Sequence, residues 1–523
     1  MNHKAKTPKT QEKKARGAKK GATGRKIGPR NELKRLTEAE RKQLEAKTLE
    51  IGKGLKSFSW KELETDGKFD KNKKLDFVTD ETLIIGCDIG SEMHFIRAID
   101  TRGRELSTTA FAFANNVNGF QEALAWGLLI AAESGKTQIV LGLEPTGHYW
   151  FTLTAWMLLH GVSVVQVNPY AVKQTKELED NSQDKNDRKD PKLIANLVKD
   201  GNYGIPYLPE DVYATMRVLS GLRDQLKEEL GRSINRLHRE LTIVFPEYKV
   251  AFSKIDGPFT LSLLREAPIP SELVALGEEG IRKVWHDKKL KGAGYRRVPE
   301  IIRQASNSVG LTDGADAHRM CILHHVADIE RLTAEIAEVE AKLAAKCHEI
   351  PNAENILAIC GLGETITSGI LAEMGDIDRF DDAKEIQKLS GLGLVACSSG
   401  KHKGQTKISH RGRKRLRYWL YQGAMSVVAH NAAFRQLHEY YTTRQNNPLK
   451  KMQSLIVIAC KLLRIIFTIL KKGSCFDAER MIKDIVRHEE GKAVTRCWQL
   501  AVRDDHKCRY APPNDTRFAF QQG

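Results

Sequence analysis

From residue 82 onward the apolar positions gather in short runs broken by polar turns. Leu83-Ile84-Ile85-Gly86-Cys87-Asp88 is an almost unbroken apolar run, the pattern of a central strand covered on both faces. Two further strands are predicted over 93–99 and 106–113. A helix follows over about 119–132, a second buried strand over 137–143, a helix over 150–159 and a strand over 162–167. Helical sequence continues to about Val198. From Val212 to Phe245 the spacing is helical: Leu219, Leu222, Leu226, Leu230, Ile234, Leu237 and Leu241 step by three or four. Ile322, Val326, Ile329, Leu332, Ile336, Val339 and Leu343 do the same. Each series lays one apolar stripe on a long helix. A last helical region spans about 353–473, with Gly361-Leu362-Gly363 and Gly391-Leu392-Gly393 as turns.

Three strands followed by alternating helix and strand is the order of an α/β RNase H-like sheet. The two striped helices flank a Pro- and Gly-containing stretch at about 246–317. They predict an antiparallel helical coiled-coil arm suited to dimerisation; the alternative is that both helices pack on the globular core. The chain is expected to divide into a basic, largely disordered extension (1–80) and an α/β domain (81–205). A helical arm with an insertion (206–350), a mostly α C-terminal domain (351–480) and a tail (481–523) follow.

Composition bounds the class. A chain of 523 residues suits about three folded units, and 41% hydrophobic content excludes a wholly disordered chain. The balance of 83 Lys+Arg against 66 Asp+Glu leaves +17, which points to a polyanionic partner. Most of that charge is local: residues 1–30 hold 11 Lys/Arg and one acid, Glu12. Such an arm adds salt-sensitive, sequence-independent affinity for phosphate backbones, or serves only as a solubilising tail. The nine cysteines form no CxxC pair and are odd in number, as expected of free thiols in a reducing cytoplasm. Cys497, His506 and Cys508 lack a fourth ligand for zinc. No apolar leader is visible at the N-terminus. The run 455–470 is interrupted by Lys461 and Arg464 and reads as a buried helix, not a membrane span.

The candidate chemistry lies in carboxylates. Asp88 ends the first buried strand and Glu144 ends the second, in Glu144-Pro-Thr-Gly-His-Tyr. Strand ends of open α/β sheets are where sites assemble. Asp184, Asp187 and Asp190 recur every three residues and would share one helical face. Acids so placed can hold two hard cations through oxygen ligands, which serves phosphoryl transfer. The same acids also suit a turn, a helix cap and a solvated surface, and spacing alone leaves both readings open.

These residues resemble a family. Ile85-Gly-Cys-Asp88-Ile-Gly, Glu144-Pro-Thr-Gly-His-Tyr and Lys185-Asn-Asp187-Arg-Lys-Asp190-Pro look like the three blocks of the DEDD transposases, insertion-sequence recombinases related to the Piv DNA invertase. The stretch from Ile356 through Gly361-Leu-Gly363 to Gly375 is similar to the opening of that family's C-terminal domain. Leu389-Ser-Gly391-Leu-Gly-Leu-Val-Ala-Cys-Ser398-Ser399-Gly400 is similar to its serine-bearing block. The blocks stand in the family's order over about 80–475. The resemblance implies a RuvC-like domain binding Mg²⁺ or Mn²⁺ through Asp88, Glu144, Asp187 and Asp190; Asp184 has no counterpart. It implies a serine nucleophile that aligns best to Ser399, with Ser398 as the competing choice. It implies DNA as substrate and a structured guide RNA encoded by the element; the helical arm suggests a homo-oligomer (dimer or tetramer), and the expected protein is cytoplasmic, working at the nucleoid rather than at a membrane. The sequence departs from the family in its long N-terminal extension, its tail, and Gly-Leu-Gly-Leu where Gly-Leu-x-Pro is commoner.

In such a composite site, metal-bound acids would activate the serine, and a phosphoserine–DNA intermediate would conserve the bond for rejoining. Beside Ser399 stand Lys401, Lys403, Lys407, Arg411, Arg413, Lys414, Arg415 and Arg417, eight cations with no intervening acid. They are expected to position phosphates. Two other functions fit the same residues: a RuvC-like nuclease using metal-activated water, and a non-catalytic nucleic-acid-binding protein.

Overall fold

The computed structural model describes residues 71–179, 190–252, 254–289, 294–395, 398–399, 402–403 and 407–482, with isolated positions between 37 and 46. The predicted N-terminal extension, most of the tail, Asp184, Asp187 and Lys401 therefore fall outside the described residues. The chain forms two compact units, residues 1–208 and 209–523.

The first unit is built on a mixed sheet. Helix α1 (Lys71–Asp76) precedes β1 (Thr82–Asp88), β2 (Met93–Ile99) and β3 (Phe111–Ala114). Helix α2 (Val117–Glu133), β4 (Gln138–Leu143), α3 (Trp150–Leu159), β5 (Ser163–Val167), α4 (Pro169–Glu179), α5 (Asp190–Lys199) and β6 (Tyr203–Gly204) follow. The six strands lie in the order β3-β2-β1-β4-β5-β6. The β1–β2, β2–β3 and β5–β6 pairs are antiparallel; β1–β4 and β4–β5 are parallel. The third strand is shorter than the pattern predicted. It begins at Phe111, and Glu105 makes only an isolated bridge to Ile99.

Both faces of β1 are covered, as its apolar run demands. Ile85 and Cys87 join Ile96, Phe113, Phe120, Trp126 and Leu153 in a core on the side of α2 and α3. Ile84 joins Val140, Val165, Ile194, Ala195 and Val198 on the other side, beneath α5. Asn116 opens α2 by accepting the Gly119 N–H, as a capping asparagine does.

The second unit begins with α6 (Asp211–Val244), continues through α7 (Tyr248–Ala251), α8 (Pro258–Glu266), α9 (Pro270–Asp287) and α10 (Val298–Ser306), and reaches α11 (Ala315–His348). Helices α6 and α11 are 34 residues each and pair antiparallel: Arg223 meets Glu340 at 2.7 Å near one end, and Glu240 meets His318 at 2.6 Å near the other. The far half of the pair packs with the intervening helices: Leu237, Leu241, Ile322 and Val326 share a core with Leu263, Leu273 and Ile301. The near half joins the C-terminal core, where Leu226, Ile336 and Leu343 meet Ile370, Trp419 and Leu462. Both helices therefore pack into cores with their neighbouring helices.

The C-terminal elements are α12 (Ala353–Leu357), α13 (Glu364–Met374), α14 (Ala383–Leu389) and four two-residue strands: β7 (Leu394–Val395), β8 (Ser398–Ser399), β9 (His402–Lys403) and β10 (Lys407–Ile408). Helices α15 (Lys414–His430), α16 (Ala432–Thr443), α17 (Lys451–Lys472) and α18 (Ala478–Ile482) complete the unit. By length and composition α17 is apolar enough to cross a membrane. Its Ile458, Leu462, Leu463 and Ile466 are buried in the C-terminal core, which accounts for the apolar run.

Candidate active site

Two glycines set the position of the acids. Gly86 of β1 and Gly142 of β4 are directly paired across the parallel strands. Helix α5 lies over them: a β-carbon on Gly86 would sit 1.8 Å from the Pro191 carbonyl oxygen, and one on Gly142 would sit 2.4 Å from Val198 Cγ2. Alternation along the strands puts Asp88 and Glu144 on this same face, two residues beyond each glycine. The register Cys87↔Leu143 makes Asp88 and Glu144 level with one another at the carboxyl ends of adjacent strands. Asp190 opens α5 immediately before Pro191. At the other end of the helix, Lys199 approaches Gly103, in the turn beyond β2, so Asp190 lies toward the strand ends that carry the other two acids. The structure thus gathers three of the four predicted acids at one end of the sheet, all half-buried. Asp187 lies outside the described residues.

This donor set fits a hard divalent cation, since it offers carboxylate oxygens only. The neighbouring thiol does not compete as a soft ligand. Burial, with the Asp88 carboxylate beside it, pushes the Cys87 thiol well up, and alternation turns Cys87 to the opposite face.

In the second unit, Ser398 and Ser399 form β8, which pairs antiparallel with β9 through Ser398↔Lys403 and Ser399↔His402. A second ladder joins β7 to β10 through Val395↔Lys407. The basic segment beyond them divides. Lys407, Arg411 and Lys414 are exposed. Arg413, Arg415 and Arg417 turn inward: Arg413 donates to the Glu373 carbonyl at 2.7 Å, Arg415 meets Asp224 at 2.9 Å, and Arg417 donates to the Ser390 carbonyl at 2.9 Å. Glu373, 3% exposed, also pairs with Arg217 at 3.0 Å. These arginines fix the segment to α6, α13 and the end of α14. Trp419 is buried under the Arg223 guanidinium, whereas Tyr418 is half-exposed. Gly361, at φ +97°, lets the preceding turn approach the backbone of Ser426 and Val427. It serves packing there, and Gly363 faces open space at the start of α13.

Comparison with known proteins decides what this framework belongs to. The DEDD transposase model of the IS110 type matches residues 85–246. A second model, "Transposase IS116/IS110/IS902 family", matches residues 353–439. The chain thus carries both domains of the IS110/IS116-type insertion-sequence transposases, in the same order as the resemblance implies. Among its relatives is the 44.8 kDa protein of insertion element IS116 from Streptomyces clavuligerus, 23% identical over 394 residues, covering 75% of this chain and 95% of that one. The pilin gene-inverting protein of Moraxella bovis is 23% identical over 368 residues, 70% of this chain and 89% of its own. The transposase of IS1111A from Coxiella burnetii is 26% identical over 170 residues, 32% of this chain and 45% of its own.

The first matched segment contains Asp88, Glu144, Asp187 and Asp190, and the second contains Ser399 and all eight predicted cations. Sequence reasoning missed two supports of the site. Gly86 and Gly142 were visible only as residues in apolar runs, although a glycine within a strand is a signal of close backbone approach. Glu373 sits in an ordinary helical stretch with no local signal of its arginine partners. Among the described residues one group brings three metal-ligand donor atoms within 4.8 Å of one another, and it is not the acids: His324, His325 and Asp328 on α11. The nearby Arg236 and Arg331 guanidiniums oppose a cation there.

Proposed function

We propose that this transposase cuts and rejoins DNA strands through a phosphoserine intermediate made by Ser399, assisted by Mg²⁺ held at Asp88, Glu144, Asp187 and Asp190. The observation that carries the reading is the gathering of Asp88, Glu144 and Asp190 at one sheet end by the Gly86–Gly142 floor under α5. The strand order, three antiparallel strands continued by two parallel ones, supports an RNase H-like, RuvC-like reading of the first unit.

Bound at these carboxylates, Mg²⁺ or Mn²⁺ would supply Lewis acidity toward the attacked phosphate. The protein residues do the rest. The acids, carried on two strand ends and a helix start, supply the negative charge that would hold the cation. Lys407, Arg411 and Lys414 hold flanking phosphates, which fixes register but carries no sequence information. The Ser399 hydroxyl attacks phosphorus; a new Oγ–P bond forms, a bridging P–O bond breaks, and the leaving sugar oxygen takes up the proton. The reverse exchange, with a different strand end as acceptor, completes rejoining and frees the serine.

Target choice by a structured RNA of the element, assembly as a dimer or tetramer through the α6–α11 pair, and action in the cytoplasm at the nucleoid belong to the same proposal. The relatives' printed names, transposase and gene-inverting protein, support DNA as the substrate.

The test is strand cleavage of element-end DNA by full-length Asp88→Asn, Glu144→Gln and Asp190→Asn variants. Each is expected to lose cleavage by about three orders of magnitude while binding DNA normally, in the range set by loss of a preorganised charge-stabilising group. Unchanged cleavage by Asp88→Asn would overturn the assignment of the acid centre.

A further inference from the structure

We infer that His94 is a positioning residue for Asp88: its imidazole holds the backbone turn that follows the carboxylate. The inference rests on the reading of Asp88 as a site acid and names the group that fixes it. Residues 89–92 join β1 to β2. Within this turn the Gly90 N–H donates to His94 Nδ1 at 3.2 Å. The Asn115 side chain donates to the Ser91 carbonyl at 3.1 Å, and the Asn115 N–H donates to the Glu92 carbonyl at 2.8 Å. Gly90 itself admits no side chain, because a β-carbon there would lie 2.3 Å from the Met93 carbonyl oxygen. Asp88 is thus held on its strand side by pairing with Phe95 and on its turn side by His94.

The ring's surroundings point to a purpose other than packing. His94 is 0% exposed and lies beside Phe113 and Phe120, with ring centroids 5.1 and 6.2 Å away. The core beside it is apolar: Cys87, Ile96 and Phe113 share it. Because Nδ1 accepts a backbone N–H, the neutral ring carries its proton on Nε2. Nε2 is buried and meets no hydrogen-bond geometry among the described residues, and the Asn115 side chain is the polar group that acts on the ring. A leucine would fill this volume without burying a polar atom at all. What a leucine cannot do is accept the Gly90 N–H, and that hydrogen bond fixes the peptide two residues beyond Asp88. The histidine is therefore matched to the turn and, through it, to the carboxylate.

The test compares full-length His94→Leu and His94→Asn with the wild type. Asparagine offers its amide oxygen near the place of Nδ1, whereas leucine offers no acceptor. Amide hydrogen exchange over residues 89–95 is expected to rise about tenfold in His94→Leu, as loss of one buried acceptor implies, and to return toward wild type in His94→Asn. Exchange in β4 and β5 stays unchanged. Strand cleavage with Mg²⁺ falls at least about tenfold in His94→Leu with the DNA Kd unchanged, and recovers in His94→Asn. Wild-type exchange and cleavage in His94→Leu overturn the inference. Equal loss in both variants with a lowered melting temperature also overturns it, since His94 would then act by packing alone. Asp88→Asn in the same assay separates the two readings: if it cleaves normally the acid centre is misassigned, and the exchange result alone then judges the role of His94 in the turn.

Discussion

The carbonyl oxygen of Pro191 lies so close over Gly86 that a β-carbon on the glycine would come within 1.8 Å of it. That approach brings the start of α5, and Asp190 with it, onto the strand that ends in Asp88. Backbone cannot yield as a flexible side chain can. Gly86→Ala is therefore expected to destabilise the first unit by about 3 kcal/mol, the upper range for overpacking, and to abolish strand cleavage. Gly142→Ala meets only the Val198 methyl at 2.4 Å and should cost less, about 1 kcal/mol. Urea unfolding of the two variants checks the order; equal losses would contradict it.

How much of this was legible in the sequence follows from the same residues. The apolar runs containing Gly86 and Gly142 revealed two buried strands, and the acids after them marked a candidate site, because burial and strand ends both leave local marks. The short third strand was overestimated: Leu106–Ser107–Thr108 looks strand-like, yet Ser107 uses its hydroxyl to accept the Ala98 N–H instead of extending the ladder. The fate of the basic segment was not legible at all. Whether an arginine reaches solvent or a buried acid depends on partners such as Glu373 and Asp224, which are distant in sequence.

That division yields a second prediction. Arg217→Ala leaves the Glu373 carboxylate, 4% exposed, without its nearest cation. Breaking a buried pair costs about 3–5 kcal/mol, and Arg415 at 3.9 Å softens the loss, so about 3 kcal/mol is expected. Chemical denaturation measures it. A change below about 0.5 kcal/mol, the usual scale of a surface substitution, would show that Glu373 is not anchored by this arginine.

The cations of the segment should separate in a DNA-binding assay. Lys414→Ala and Lys407→Ala each lower the slope of log K against log salt by about 0.9, the value for one phosphate contact on duplex DNA. Arg413→Ala, Arg415→Ala and Arg417→Ala act instead on thermal stability, because their guanidiniums bind protein oxygens. Salt slopes reduced by all five variants alike would refute this division.

A pH effect follows from His94. Burial lowers its pKa from 6.5, and the Asn115 side chain opposes this more weakly. The unfolded state then binds more protons than the folded state between 6.5 and the lowered value. The neutral ring's contribution is fully present above 6.5 and is lost as pH falls through that window. His325 on α11 is lowered in the same direction, so global melting mixes the two. Amide exchange over residues 83–99 isolates the first unit: protection should fall on acidification in the wild type and far less in His94→Asn. Equal acid sensitivity in both would contradict the assignment.

The central claim, that the serine of the C-terminal unit forms the covalent bond, is tested by trapping full-length protein on labelled donor DNA with Mg²⁺ and mapping the modified peptide. The account predicts an adduct on Ser399 that is lost in Ser399→Ala and in Asp88→Asn. An adduct that persists in Ser399→Ala, or cleavage that proceeds in that variant with no adduct, would contradict it.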